Sequence, residues 1–274
     1  MNKTKTAVLV SSCDAYQEVW EPFFTLFFRY WPDCPFPVYL IANHISYPDE
    51  RVSTILVGQD RGWGSQMRLA LERLSETHII YFQEDFLLER RVDTARIIRL
   101  LNYMEKRQAG CLRLYPCPGP DLPSIDNEEV GEISRFASYR VALQAAIWHK
   151  PVLQALLVDG ESAWKMEGQG SERSRALEVP FLSVKRHPVT DLVADPAIPY
   201  YCTAIVRGRW VQGAVELCNR EGIRGVGRKL PIETACQQWW RESRIRPWVM
   251  TGLWPAFWLR RQLLRIWDLT LNYF

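Results

Sequence analysis

The chain has 274 residues, 47% of them apolar and 24% charged, with a formal net charge of +3. That balance suits a folded core of ordinary size and excludes a disordered polyelectrolyte or a globally basic nucleic-acid binder. The seven cysteines, at 13, 34, 111, 117, 202, 218 and 236, form no CxxC pair, which argues against a structural zinc site or a disulfide framework and for a reducing cytoplasmic setting. No run of eighteen apolar residues occurs, so no spanning helix is expected.

The first predicted strand, Ala7 to Val10, is a continuous apolar run ending in Ser11-Ser12-Cys13-Asp14, as expected of a strand covered on both faces. A helix over Glu18 to Tyr30 carries a wide aromatic face of Trp20, Phe23, Phe24, Phe27 and Phe28, and Trp31-Pro32 stops it. Strands follow at Pro37 to Ala42 and Ser53 to Val57, then a helix over Gly64 to Leu74. The next strand, His78 to Phe82, ends abruptly in Gln83-Glu84-Asp85-Phe86; a helix from Asp93 to Arg107 and a strand at Gly110 to Tyr115 complete an alternating β/α pattern. This alternation predicts an α/β fold with a mostly parallel sheet, right-handed crossovers and flanking helices. Pro116 to Gly131, rich in prolines and acids, reads as a surface loop, followed by a hairpin-like pair at Ile133 to Ala137 and Tyr139 to Trp148. A short helix over Val152 to Val158 precedes a polar segment, Asp159 to Gly170, whose Gly168 and Gly170 are expected to end a helix beginning near Ser162.

In an open α/β sheet, ligands collect outside the carboxyl ends of the strands. The adjacent carboxylates Glu84 and Asp85 stand there, where Mg²⁺ or Mn²⁺ would find oxygen ligands and a nucleotide diphosphate would supply the rest; the alternative is that they cap the next helix. Asp14, after the first strand, is placed to bond a base or ribose, or else to cap the helix that follows. Arg61, after the third, is placed to meet a phosphate by a charge-assisted bond. Trp63 either lines that site or packs between helix and sheet. The glycines beside it, Gly62 and Gly64, would let the backbone approach a ligand.

The order Asp60-Arg61-Gly62-Trp63-Gly64, helix, hydrophobic strand, Gln83-Glu84-Asp85-Phe86 resembles the GT-A fold of nucleotide-sugar-dependent glycosyltransferases. Ser11-Ser12-Cys13-Asp14, Trp20-Glu21-Pro22-Phe23, Trp31-Pro32, Leu143 to Trp148 and Glu161 to Glu167 are similar to bacterial members that assemble cell-surface polysaccharides such as lipopolysaccharide or capsule, over roughly residues 6 to 235. The resemblance implies a catalytic domain over 1–236 that moves a sugar from a nucleotide-diphosphate donor to a glycan hydroxyl. Asp85 would be the metal ligand, and Asp14, Arg61, Trp63 and Glu84 would bind the donor. Glu167 or Glu161, with Asp159 as a further candidate, would be the base of an inverting displacement. Gln83 departs from the family's DxD pattern, because an amide oxygen stands where the first acid belongs. That departure leaves room for an inactive scaffold of the same fold. A sugar-phosphate nucleotidyltransferase is the other rival, although Ser11 to Asp14 lacks the glycine- and lysine/arginine-rich signature that such enzymes carry after the first strand.

Residues 237–274 stand apart. From Trp239 onward the chain holds six arginines against Glu242 and Asp268, and six of the twelve tryptophans. A helix over Ala256 to Asn272 with an aromatic and aliphatic arc and a stripe of Arg261, Arg265 and Asp268 suits a membrane interface. The expected setting is therefore the inner face of the cell membrane, with a lipid-linked glycan as acceptor and no nucleic-acid partner.

Overall fold

Apolar runs at alternate registers let one sheet bury both of its faces. The computed structural model describes residues 6–124, 126–185, 196–239 and 241. Strand β1 (Thr6–Ser11) is buried throughout; Val8 and Val10 face one hydrophobic layer, Ala7 and Leu9 the other. The chain then passes through a 3₁₀ turn (Asp14–Tyr16), α1 (Gln17–Tyr30), β2 (Val38–Ala42), β3 (Val52–Leu56), α2 (Trp63–Glu72) and β4 (His78–Gln83). Strands β3, β2, β1 and β4 lie side by side, all parallel. Helix α1 packs its aromatic face on β4, with Phe23 and Phe27 each 5.9 Å from the Phe82 ring, while Met67, Ala70 and Leu71 of α2 cover the opposite face.

The second half mixes strand directions. After β5 (Leu87–Leu88) and α3 (Thr94–Lys106), with Asp93 as its side-chain cap, come β6 (Cys111–Arg113), β7 (Leu122–Pro123), β8 (Val130–Glu132) and β9 (Ala146–His149). Helices α4 (Lys150–Leu156) and α5 (Ala163–Ser174) lead to β10 (Phe181–Val184). Strand β9 inserts antiparallel between β4 and β6, β10 pairs parallel with β6, and β8 and β7 close that edge. The result is a mixed α/β fold in which a nine-stranded sheet is flanked by helices on both faces. Short strands β11 (Tyr200–Tyr201), β12 (Ile205–Val206) and β13 (Arg209–Trp210), then α6 (Gln212–Arg220), follow.

Two expectations about the middle of the chain are corrected. Residues 133–145 form no hairpin, because side chains satisfy their backbone in place of a ladder. Buried Arg113 donates to the carbonyls of Pro118, Tyr139 and Arg140, and Arg140 to those of Ser174 and Val179. Ser171 Oγ and the Tyr200 hydroxyl accept the amides of Val141 and Ala145. Nor do Gly168 and Gly170 end a helix: Ser162 caps α5 through the Lys165 amide, and the helix continues to Ser174, with Gly170 packed tightly against Met166.

Glu18, in the first turn of α1, reaches far along the sequence. Its carboxylate accepts the Trp210 indole N–H at 2.7 Å and the amides of Gly227 at 2.7 Å and Leu230 at 3.1 Å, together with that of Lys229. Burial pushes this carboxyl up, but the four donors outweigh it and hold the group below the usual range.

Contacts divide the chain into two compact units, Met1–Glu233 and Thr234–Phe274. Of the second, residues 235–239 are helical. The helix expected over 256–272, with its arginines and tryptophans, lies outside the described residues. Among the described residues, no helix is long and apolar enough to cross a membrane.

At the amino end of β4, His78 faces His149 of β9 with ring centroids 5.3 Å apart. Burial, then the neighbouring ring, pushes His78 down to about 4, and burial lowers His149. The unfolded chain therefore takes up these protons first, so stability present above about 6.5 is lost as pH falls towards 4. For buried His78 the loss amounts to about 3 kcal/mol. Urea unfolding at pH 7 and 4.5 should show a smaller difference in the His78→Gln protein than in the wild type.

Candidate functional site

The chain builds outward from β1 through β2 to β3, then returns to place β4 on the other side of β1, so the crevice beyond β1 and β4 is a topological switch point. Pairing over six residues sets Ser11 opposite Gln83, and the Glu84 amide donates to the Ser11 carbonyl at 3.3 Å. Both carboxylates therefore emerge at the crevice. Asp85 is 7% exposed; its Oδ2 accepts the Ile205 amide at a long 3.4 Å, while its own carbonyl accepts the Ala204 amide at 3.1 Å. The Glu84 carboxylate is half-buried and is faced by its own backbone amide. Burial pushes Asp85 up to about 6 and raises Glu84 well above the carboxylate range, the charge of Asp85 adding to the effect on Glu84. The preceding residue of the overlying loop, Thr203, is held at φ +71°, a strained value for a β-branched side chain.

Two adjacent, poorly satisfied acidic groups fit a hard divalent cation. Glu84 and Asp85 would hold Mg²⁺ or Mn²⁺. Among the described residues no cluster of three or more His, Cys, Asp or Glu accompanies them. Gln83 directs its amide N–H to the Leu143 carbonyl at 3.4 Å.

The other predicted residues take distinct places. The Asp14 carboxylate accepts the amides of Asn43 and His44 at 2.9 Å and of Ile45 at 3.4 Å, and its own amide donates to the Asn43 side chain at 3.1 Å. It therefore stitches the exit of β1 to the exit of β2 and caps no helix. Trp63 is half-buried, donates from its indole to Ser11 Oγ at 3.0 Å and meets Tyr81 edge-on, so it is both packing and crevice wall. Arg61 is exposed on the loop before α2 and makes no ion pair among the described residues. The glycines beside Trp63 serve the protein rather than a ligand: a Cβ on Gly62 would stand 2.9 Å from the Gly160 backbone, and one on Gly64 would stand 2.1 Å from the Val158 carbonyl oxygen.

Of the three candidate bases, one stands at the crevice. Glu167 accepts the Leu143 amide at 2.8 Å, and Leu143 in turn accepts from Gln83, so one residue links this carboxylate to the end of β4. Burial holds the Glu167 carboxyl above its usual range, against the Leu143 amide and the Arg113 charge. Glu161 is 5% exposed and bonds Arg173 at 2.6 and 3.2 Å on the other flank of α5; exposed Asp159 pairs with Arg68 at 2.9 Å.

Sequence reasoning overlooked Arg113, Tyr200 and Gln144. The Tyr200 hydroxyl donates to Gln144 Oε1 at 2.6 Å, and its ring stacks on Phe86 at 4.4 Å, directly beside Asp85. A charged residue ending the apolar run Gly110 to Leu112 was a usable signal for Arg113; Tyr200 lies in a stretch without periodicity and gave none.

No family model and no curated protein matches the sequence. Among solved structures, the chain is similar to Staphylococcus aureus TarS 1–349 in complex with UDP-GlcNAc, with a TM-score of 0.46 and 14% identity over 74% of this chain and 59% of that one. It is also similar to 2-C-methyl-D-erythritol 4-phosphate cytidylyltransferase from Thermus thermophilus, with a TM-score of 0.45 and 12% identity over 80% of this chain and 100% of that one. The chain spans less than two thirds of the TarS structures that it matches. At these identities and TM-scores below 0.5, the neighbours assign neither a family nor an activity.

A cation must displace protons from the Glu84–Asp85 pair, so Mn²⁺ affinity should rise as pH passes through about 6, where Asp85 is pushed, and go on rising as the more strongly raised Glu84 gives up its proton. Mn²⁺ titration followed by electron paramagnetic resonance between pH 5 and 8 checks this. Asp85→Asn should weaken binding and flatten the profile, whereas a flat wild-type profile would remove the pair as the site.

Proposed function

We propose that this chain is a nucleotide-sugar-dependent glycosyltransferase of the GT-A type, transferring one sugar to a hydroxyl of a growing surface glycan. The observation that supports it best is the placement, around one crevice, of a buried carboxylate pair at the β1/β4 switch point and a separate raised carboxylate, Glu167, joined to it through Leu143. A transferase needs these two acidic functions apart, one for the donor diphosphate and one for the acceptor hydroxyl. Arg61 meets a donor phosphate, Trp63 lines the crevice wall, and Asp14 orders the 43–45 loop that frames the nucleotide.

In the displacement, the acceptor oxygen attacks the anomeric carbon while the bond from that carbon to the diphosphate oxygen breaks. Glu167 takes the hydroxyl proton, and its raised pKa makes it a stronger base than an ordinary surface carboxylate. Glu84 and Asp85 would hold the cation, which would supply positive charge for the departing diphosphate. Attack from the face opposite the leaving group inverts the anomeric centre. Glu161, committed to Arg173, holds α5 in place instead of serving as base. Residues 237–274 bring the catalytic unit to the cytoplasmic membrane surface, where a lipid-linked acceptor is met.

Thermal shift with UDP-, GDP-, dTDP- and CMP-linked sugars, with and without Mn²⁺, identifies the donor; saturation to one hundred times the dissociation constant stabilises by about 2.7 kcal/mol. With that donor, Asp85→Ala should abolish transfer without unfolding the protein. Glu167→Gln should lower kcat by about 10² to 10⁴ and leave donor binding unchanged. Pyrophosphate release from a nucleoside triphosphate and a sugar phosphate would instead identify a nucleotidyltransferase.

A further inference from the structure

Helix α5 carries two features that packing does not explain. Trp164, in its first turn, is 84% exposed. One turn on, Gly168 occupies the helix interior, where glycine costs about 1 kcal/mol relative to alanine. A Cβ at 168 would meet nothing within 4 Å, whereas one on Gly170 would stand 2.8 Å from Met166 Sδ. Gly170 thus has a packing reason and Gly168 has none.

Residues 164, 167, 168 and 171 share one flank of the helix. Two contacts fix where that flank looks: Glu167 accepts the Leu143 amide, and Ser171 Oγ accepts the Val141 amide. It therefore overlooks the segment bonded to Gln83, at the crevice. The opposite flank is closed by the Arg173–Glu161 ion pair.

We propose that Trp164 and Gly168 form a carbohydrate shelf that holds a pyranose ring of the acceptor beside Glu167. The indole offers a flat apolar face with a polar edge, matching the C–H face of a sugar. A helical turn of about 5.4 Å separates Trp164 from Gly168, close to the width of one pyranose, and the missing Cβ lets the ring lie against the backbone. Leu143 engages one oxygen of Glu167; the other takes no hydrogen bond among the described residues and is open to a ring hydroxyl. An apolar face flanked by a proton acceptor selects a ligand that is flat and greasy on one side and hydroxylated at its edge, which is a sugar. The shelf rests on the reading of Glu167 as the base, since it places the acceptor within that residue's reach.

Saturation-transfer NMR with the methyl glycosides of glucose, galactose, N-acetylglucosamine, mannose and rhamnose tests this on the full chain. At least one glycoside should receive saturation at its ring C–H protons. Trp164→Ala and Gly168→Leu should each weaken its binding about tenfold, and Trp164→Phe should largely retain it. Both positions face solvent, so neither change should lower the melting temperature, and Gly168→Leu should raise it by removing the helix-interior glycine. The nucleotide-sugar thermal shift, read in parallel, should be unchanged in all three variants. If no glycoside binds, or binding is indifferent to positions 164 and 168 while nucleotide sugar still binds, the shelf falls and the transferase reading stands. If a glycoside binds through Trp164 and no nucleotide sugar binds, the shelf stands and the transferase reading falls.

Discussion

The parallel pairing of β1 with β4 is the constraint on which the site depends. Both strands are buried on both faces, so a slip of one residue would turn Val8, Val10, Ile80 and Phe82 into the wrong layer. The register is therefore held by the whole core, and it delivers Ser11, Gln83, Glu84 and Asp85 to a single place. Burial there has a cost: two carboxyls sit where water reaches them poorly and few donors replace it. Their raised affinity for protons expresses that cost, and a cation would offset it. Chemical readiness at the crevice and the rigidity of the sheet beneath it have one origin.

A different device organises the second half. Between β8 and β9 the backbone has no ladder, yet its polar groups are buried and must be paired. Arg113 donates to the carbonyls of Tyr139 and Arg140, while Arg140, itself part of the segment, ties it to the carbonyls of Ser174 and Val179. Arg113 is 1% exposed and Arg140 4%, and the bonds of both guanidinium groups described above run to backbone carbonyls and, for Arg140, the Ser174 hydroxyl, with no carboxylate partner among the described residues. Burial lowers the pKa of both, in keeping with charges held by dipoles alone. The Phe181 ring, 4.2 Å from the Arg140 guanidinium, adds its negative face. These two side chains shape the loop that presents Leu143 to Glu167, so the distance between the two acidic functions is set by arginines that touch neither.

The parallel core was legible because its signals are local. Apolar runs of strand length, Asp93 before a helix and Pro32 after one each carry their own physical meaning, and the observed elements fall within a few residues of them. The acidic pair was legible for the same reason, as an abrupt change at a strand end. What was missed depends on partners distant in sequence. The run from Ile133 to Trp148 has the composition of strands, and its end does form β9, but over 133–145 donors from Arg113 and Ser171 decide the path. Gly62 and Gly64 looked like openings for a ligand because nothing nearby reveals that the 158–160 loop fills the space. Glu161 and Glu167, six residues apart on similar ground, were separable only once the helix flanks had been assigned by Arg173 on one side and Leu143 on the other.

Glu18 bears on how the molecule is made. Its carboxylate sits in the first turn of α1, and three of its four donors belong to backbone groups beyond residue 226. While the chain is being synthesised, α1 and the parallel strands can assemble long before those donors leave the ribosome. In that interval Glu18 has only water, and the end of α1 nearest the crevice has no clasp. The first compact unit thus closes like a buckle, its tongue arriving last, and a fragment ending before Gly227 would keep the sheet yet lose three of the four donors to Glu18.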